Sequence, residues 1–380
     1  MNKFLIIASY PVSILKFRGA LIKELQNKGF EIHITAPEFD VYSEERNNLI
    51  ELGYIVHDIP MQRTGTNPLN DAKTVSALYL LMKKIKPSHV MGYTIKPVIY
   101  GSLAAKLARV PHRFALITGL GYAFQGADEQ NYKKSNLQKI MHKLYSVALA
   151  STHKVFFQNP DDEALFKSMS ILTPNASTTV VNGSGVDISE YSVQPFATID
   201  DILIPRFLLI ARLLGDKGVR EYAQAAKIIK DKYPQAQFDL VGWIDDNPDT
   251  INQQELDSWI SAGLFNFWGK LDDVKPAIAA SSIYVLPSYR EGTPRTVLEA
   301  MAMGRPIITT DAPGCRETVI DGYNGYLVPV KAVEALAAAM ERFIVNPALI
   351  IEMGKASRQL VEEKFDVHAV NQSMLEEMGL

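Results

Sequence analysis

The stretch Val285-Leu-Pro-Ser-Tyr-Arg-Glu-Gly-Thr-Pro-Arg-Thr-Val-Leu-Glu-Ala-Met-Ala-Met-Gly304 decides the fold. With the two residues before it, Ile283–Leu286 reads as a buried strand and Pro287–Gly292 as the loop beyond it. Thr293-Pro294 is a helix start, with Thr as cap and Pro at the first helical position, and Gly304 is a stop. A strand feeding a helix through a short loop is the unit of a parallel sheet. The unsatisfied N–H groups of that helix, beside the small Gly292, make a place for a phosphate. Glu291 lies in the loop, and Glu299 lies on the helix, one turn after Arg295. Two carboxylates flanking such a helix start suggest a nucleotide-linked ligand. Glu299 would accept from a ribose diol and Glu291 would face the group beyond the phosphates. A capped helix with surface glutamates is the plainer alternative.

Outward from this stretch the same alternation repeats. Phe207–Ala211, Phe238–Val241 and Pro306–Thr310 read as strands, with helices over Gly218–Lys230 and Val333–Phe343. The first half alternates likewise. Phe4–Ala8, Glu31–Thr35, Tyr54–His57, His89–Gly92 and Arg113–Thr118 are strands, and Phe17–Lys28, about 70–86 and Pro97–Ala108 are helices. Tyr191–Arg206, with two prolines and the doublet Asp200-Asp201, reads as a linker. The expected division is therefore 1–190 and 191–365, with a helix over about 366–380 that returns to the first domain and a cleft between the two.

Ligands of open parallel sheets sit beyond the carboxyl ends of the strands. Ile210-Ala-Arg-Leu-Leu-Gly-Asp-Lys-Gly218 occupies such a position and opens a helix for which Asp216 is the expected cap. Arg212 and Lys217 would meet a pyrophosphate there, one as a fork and one as a point charge. Each alone reads equally as a solvated base.

Composition narrows the functional classes. Hydrophobic residues make up 47% and charged residues 21%, as in a globular protein. No apolar run reaches the roughly eighteen residues of a membrane span, and Phe4–Ala8 reads as a strand rather than a signal peptide. The single cysteine, Cys315, excludes an internal disulfide and fits a reducing cytoplasm. Residues 1–190 carry 21 basic and 16 acidic side chains, a net of +5, which leaves 18 and 26, a net of −8, for the rest. That balance argues against bulk nucleic-acid binding and leaves the first half free to face an anionic ligand or an anionic membrane.

The pair Glu291/Glu299 resembles the E-x7-E motif of retaining glycosyltransferases with the GT-B fold. Arg212 and Lys217-Gly218 resemble the R-x4-K-G element of the same group. Val285-Leu-Pro-Ser, Leu298–Gly304, Pro313-Gly-Cys-Arg-Glu317 and Asp321-Gly-Tyr-Asn-Gly are similar to glycosyltransferase family 4. The resemblance implies two Rossmann-like parallel-sheet domains facing a cleft, the first for the acceptor and the second for a nucleotide-sugar donor. It implies that Arg212 and Lys217 neutralise the diphosphate, that Glu299 holds the ribose, and that Glu291 contacts the transferred sugar and is catalytic. Gly292, Thr293, Pro294, Arg295 and Thr296 would contact sugar and phosphates, and Gly269, Lys270 and Leu271 would lie near the base. With no D-x-D sequence, metal-independent chemistry and no cofactor are expected, the leaving diphosphate being stabilised by cations and a helix dipole.

Phe17-Arg18, Asn67-Pro68, Lys96-Pro97 and Gly119-Leu-Gly121 resemble a narrower set, the enzymes that extend sugars on undecaprenyl diphosphate, such as N-acetylgalactosaminyltransferases. This implies a UDP-sugar donor such as UDP-GalNAc or UDP-GlcNAc, with GDP and dTDP open, and a lipid-linked glycan acceptor in surface polysaccharide or glycoprotein glycan synthesis. Ser13, Arg18, Lys96, Thr118 and Gly119 are the acceptor or diphosphate candidates. Asn131–Ala150 reads as an amphipathic helix with Lys133, Lys134, Lys139 and Lys143 beside an apolar stripe. It suits either core packing or the inner face of the cytoplasmic membrane. A UDP-sugar 2-epimerase and a non-catalytic sugar-nucleotide binder are the competing classes, both disfavoured by the complete set of two glutamates and two cations.

Overall fold

The computed structural model describes residues 2–62, 65, 67–120, 124, 136–196, 198–199, 202–245, 247 and 249–380. The chain forms two compact units, Met1–Ser184 with Val370–Leu380, and Gly185–Ala369.

The first unit is a parallel sheet of β1 (Lys3–Ile7), β2 (Glu31–Ala36), β3 (Ile55–Asp58), β4 (His89–Tyr93), β5 (His112–Ile117), β6 (Lys154–Phe157) and β7 (Thr178–Val180). Its helices are α1 (Ser13–Asn27), α2 (Ser43–Glu51), α3 (Pro68–Ile85), α4 (Ile95–Ala108), α5 (Asn136–Leu149) and α6 (Pro160–Ser168). The strand order is β3-β2-β1-β4-β5-β6-β7. The apolar run of β1 is continuous because both faces are covered. Leu5 and Ile7 enter one core with α3, α4 and α5, while Phe4 and Ile6 enter the other with α1. Helix α3 starts about two residues before the expected 70, because Asn67 caps it, its side chain accepting from Leu69 N at 3.1 Å with Pro68 next in line.

The second unit repeats the plan. Its strands are a short antiparallel pair, β8 (Thr198–Ile199) and β9 (Ile202–Leu203), then β10 (Arg206–Ile210), β11 (Gln237–Val241), β12 (Asn266–Gly269), β13 (Ile283–Leu286), β14 (Ile307–Thr310) and β15 (Gly325–Val328). Its helices are α7 (Val219–Lys232), α8 (Gln253–Ser261), α9 (Lys275–Ala280), α10 (Arg295–Ala302), α11 (Val333–Val345) and α12 (Ala348–Lys364), and α13 (Val367–Met378) carries the chain back into the first unit. The six-stranded sheet is parallel and ordered β12-β11-β10-β13-β14-β15. In each sheet the first strand of the series has neighbours on both sides reached by opposite windings, so β1/β4 and β10/β13 are topological switch points.

The boundary at 184/185 lies six residues before the expected 190, and the expected linker 191–206 is built into the second unit. Arg305, wholly buried, explains this. It donates to the carbonyls of Gln194 at 2.6 Å and Pro195 at 3.2 Å, and Val186 forms a bridge to Asp366. Asp200 and Asp201 lie outside the described residues.

Candidate functional site

The loops leaving β10 and β13 are neighbours at the switch point of the second unit. After β10 the chain makes a single tight turn, Gly215–Lys217, and Gly218 takes φ +71°. A Cβ there would stand 2.1 Å from the Pro287 carbonyl oxygen, so only glycine lets the two loops close on each other. The Asp216 carbonyl then accepts from Tyr289 N at 2.8 Å and from Ser288 Oγ at 3.1 Å.

This clamp sets Lys217 Nζ 2.6 Å from Glu291 Oε1. Burial acts to lower the Lys217 pKa, but Glu291 and Asp216 outweigh it and hold the ammonium above its ordinary value. Asp216 is not a helix cap, since α7 begins at Val219 with Gly218 at its cap position. Its carboxyl is instead buried beside Lys217, Glu291, Asp249 and Arg212, and burial raises its pKa, with Lys217 opposing and Glu291 adding. Arg212 reaches Asp245 at 2.7 Å and stands within electrostatic range of Lys217. The two predicted cations and the first glutamate therefore share one locus.

Beyond β13, Glu291 N donates to the Pro313 carbonyl at 2.9 Å, and a Cβ on Gly314, whose φ is +81°, would meet the Glu291 carbonyl oxygen at 2.1 Å. The Pro313-Gly314 turn thus holds the glutamate loop from behind. Helix α10 starts one residue later than expected. Pro294 is its cap residue and Arg295 its first helical residue, because the ψ of 110° at Pro294 keeps that residue out of the helix and Thr293 outside the cap. The cap residue offers no side-chain acceptor to the first turn.

Glu299 is 1% exposed. Its Oε1 accepts from Arg295 Nε at 2.8 Å and from Tyr191 OH at 3.1 Å, while Oε2 is buried with no hydrogen-bond partner among the described residues. An unpaired buried carboxylate oxygen costs free energy, and a ligand hydroxyl would relieve it. Thr296 Oγ1 lies 2.7 Å from Tyr284 OH, which donates to the Ile210 carbonyl at 3.1 Å. Burial raises the pKa of Tyr284, with Glu299 and Glu291 both adding to the effect. Gly269 ends β12 at φ +67°, Lys270 Nζ lies 5.5 Å from the centroid of the Trp243 ring, and Leu271 packs beside Trp268 on one of the two cores.

Sequence reading missed Tyr191, Tyr284, Pro313-Gly314 as the loop's support, and Asp239. The last is buried at β11 and accepts from Arg206, from Trp268 Nε1 at 2.8 Å and from Asn266 Nδ2 at 2.9 Å, fixing the strand that carries residues 268–271. Only the glycine of Pro313-Gly-Cys carried a local signal. Cys315, buried with its thiol pushed up to about 12 by burial, is a packing residue.

In the first unit, the loop after β1 is stitched to the end of β4. Ser13 Oγ donates to the Tyr10 carbonyl at 2.6 Å and lies 2.9 Å from Tyr93 OH, and Ser9 Oγ lies 2.9 Å from Thr94 Oγ1. Arg18 is buried with its guanidinium 5.5 Å from the Tyr93 ring centroid, so Ser13 and Arg18 converge on one phenol, whose pKa burial pushes up to about 12. Thr94 holds φ +69°, a strained conformation for a β-branched residue. Thr118 and Gly119 follow β5, with Gly119 at φ +137°. Lys96 departs from the expectation of an anion grip. It is 7% exposed and pairs with Asp71 at 3.2 Å, so its charge is answered inside the fold. Gly121 and residues 131–135, with Lys133 and Lys134, lie outside the described residues. In α5, Met141, Tyr145 and Ala148 enter the core, whereas Ile140 is exposed.

Two family profiles match the chain. "Glycosyl transferase 4-like" covers residues 9–159 and "Glycosyl transferases group 1" covers 204–346. The chain is 28% identical over 91% of its length to an N,N'-diacetylbacillosaminyl-diphospho-undecaprenol alpha-1,3-N-acetylgalactosaminyltransferase of Campylobacter jejuni, covering 90% of that protein. It is 25% identical over 90% of its length to a UDP-Gal:alpha-D-GlcNAc-diphosphoundecaprenol alpha-1,3-galactosyltransferase of Escherichia coli, covering 87% of it. Anabaena Alr3699/HepE, solved with UDP and glucose, superposes with a TM-score of 0.78 at 19% identity, covering 100% of both chains. The fold is GT-B, two Rossmann-like parallel-sheet domains.

Proposed function

Because the chain belongs to the glycosyltransferases that join a glycosyl transferase 4-like domain to a glycosyl transferases group 1 domain, we propose that it moves a hexose or N-acetylhexosamine from a UDP-sugar to an undecaprenyl-diphosphate-linked glycan, with retention. The observation that carries the donor assignment is Glu299, whose buried Oε2, without a hydrogen-bond partner among the described residues, asks for a hydroxyl donor on the helix that follows the Glu291 loop. UDP-GalNAc and UDP-GlcNAc are the preferred donors, by likeness to the Campylobacter protein.

In this reading Glu299 accepts from the ribose diol. Lys217 carries three N–H groups, of which Glu291 takes one, leaving two for the diphosphate oxygens. Arg212 and the start of α10 add to the same electrostatic term as charge develops on the leaving diphosphate. Glu291 contacts the sugar being transferred. The chemistry needs no metal ion in this scheme, since protein cations take its place. The 4-like unit, with Ser13, Arg18, Thr118 and Gly119, is assigned to the acceptor. The product enters bacterial surface-glycan synthesis, and a lipid-linked acceptor places the enzyme on the cytoplasmic face of the membrane. No helix among the described residues is long and apolar enough to cross it.

The test is a nucleotide-sugar screen in EDTA that scores thermal stabilisation and nucleotide release. Stabilisation by one UDP-sugar, with release stimulated by a lipid-diphosphate glycan, is the expected result. Interconversion of the sugar without any acceptor would replace the proposal by the epimerase, and no response to any nucleotide sugar would remove it.

A further inference from the structure

Both donors that the fold brings to Glu299 reach the same oxygen. Arg295 Nε stands 2.8 Å and Tyr191 OH 3.1 Å from Oε1, while no described residue donates to the buried Oε2. An arginine fork beside a carboxylate tends to take both oxygens at once, and the last torsion of a glutamate is broad enough to let it. Arg295 lies one turn away on the same helix with its side chain 18% exposed, so by itself it would leave the carboxylate free to turn toward it. The second donor prevents this. A phenol arriving from a different part of the chain gives Oε1 a second anchor, which fixes the plane of the carboxylate and keeps Oε2 clear.

Tyr191 is held firmly enough for such a task. Its ring is 7% exposed and lies in the core that also holds Ile210, Tyr284 and Leu298. Its N–H donates to the Asp187 carbonyl at 3.0 Å, and its own carbonyl accepts from Arg358 Nη1 at 2.9 Å. Asp187 Oδ1 accepts from Ser189 N at 2.9 Å and from Glu190 N at 3.2 Å, which closes the turn that delivers the ring. From α9, Lys275 Nζ stands 5.4 Å from the ring centroid and pairs with Glu190 at 3.2 Å. Burial, with the charge of Glu299 adding, raises the pKa of the phenol, so the hydroxyl keeps its proton and stays a donor. A phenylalanine would fill the same space. The hydroxyl is the one atom of this side chain that packing leaves unexplained, and its partner among the described residues is Glu299.

We propose that Tyr191 is a positioning residue for the donor: its hydroxyl holds Glu299 so that Oε2 faces the ribose diol, and it thereby sets the preference of the site for a ribose that carries both hydroxyls. This role rests on the ribose reading of Glu299 above and adds the group that aims it. Tyr191 acts through the carboxylate, on binding that ground state and transition state share, and not on the bond being broken.

The experiment is Tyr191→Phe, read by titration calorimetry with UDP and with 2′,3′-dideoxy-UDP, and by steady-state kinetics with the nucleotide sugar that stabilises the wild type. Loss of the hydroxyl should weaken UDP about three- to tenfold and leave dideoxy-UDP within about twofold, so the preference for ribose shrinks. The KM for the donor should rise while kcat changes far less. In the Glu299→Gln background the same substitution should cost UDP binding nothing further, the coupling expected of two groups that act together. A wild type that prefers UDP, with a Tyr191→Phe variant that keeps the whole preference, would overturn the proposal and spare the ribose reading. Additive losses in the double variant, or a lower melting temperature with the ribose preference intact, would do the same, since both describe a tyrosine that only packs. A wild type indifferent to the ribose hydroxyls would overturn the ribose reading, and the role of Tyr191 with it.

Discussion

Replacing Glu299 with glutamine separates a ligand role from a structural one, because the two predict opposite results. The side chain is 1% exposed and glutamine has its shape, so packing is kept. With the amide oxygen held by Arg295 and Tyr191, the amide nitrogen takes the place of Oε2, and an acceptor becomes a donor. In the free protein the change exchanges one buried polar group without a partner among the described residues for another, so that penalty of about 1–3 kcal/mol is largely kept. It also weakens the bond from Arg295, which is 18% exposed, by about 1 kcal/mol. The melting temperature of the second unit should therefore stay close to that of the wild type. Binding should behave differently. A hydrogen bond to a charged acceptor is worth about 1.5–3 kcal/mol, or roughly ten- to hundredfold in Kd. Titration calorimetry with UDP and with 2′,3′-dideoxy-UDP reads this directly. The wild type should favour UDP, and Glu299→Gln should lose most of that preference as well as affinity for UDP. An unchanged Kd for UDP, or a wild type indifferent to the ribose hydroxyls, would refute the reasoning.

Three further outcomes are expected. Lys217→Ala should weaken donor binding more than tenfold, whereas Glu291→Ala should reduce kcat more than it reduces nucleotide affinity, and unchanged turnover in Glu291→Ala would remove its catalytic assignment. Gly314→Ala should displace the Glu291 loop, since a Cβ there meets the Glu291 carbonyl at 2.1 Å, lowering kcat while calorimetry finds UDP binding within a few-fold of the wild type. The first unit should lose stability on acidification. Burial, with His33 adding, lowers His57 to about 4, and burial, with His112 adding, lowers His89 to about 4, from the usual 6.5. The unfolded chain then binds more protons between those values, so this stability is complete above pH 6.5 and is lost as the pH falls toward 4. A thermal-melt series over that range checks it, and His89→Phe should flatten the slope.

The local part of this protein was legible because its signals are short in sequence. A strand buried on both faces reads as an unbroken apolar run, as in Phe4–Ile7 and Phe207–Ile210, and a crossover helix follows each at a few residues' distance. Helix starts were less legible. Thr293-Pro294 and Asp216 carry cap chemistry, but the backbone at Pro294 and Gly218 placed the caps one residue later at the first and two at the second. The linker failed for a different reason. Prolines near 195 and 205 signal a break in periodicity, not a boundary between cores, and Arg305 binds that irregular backbone into the second unit.

The sequence by itself determined the alternation of strands and helices, the doubling of that plan, and the candidate set Arg212, Lys217, Glu291 and Glu299, because each follows from spacing within one strand, loop and helix. Tertiary structure alone decided what those groups meet. Glu291 finds Lys217 at a separation of 74 residues, and Glu299 finds Tyr191 at 108. No periodicity encodes such pairs. They are selected by burial, where a charge that leaves water must find its partner across the chain.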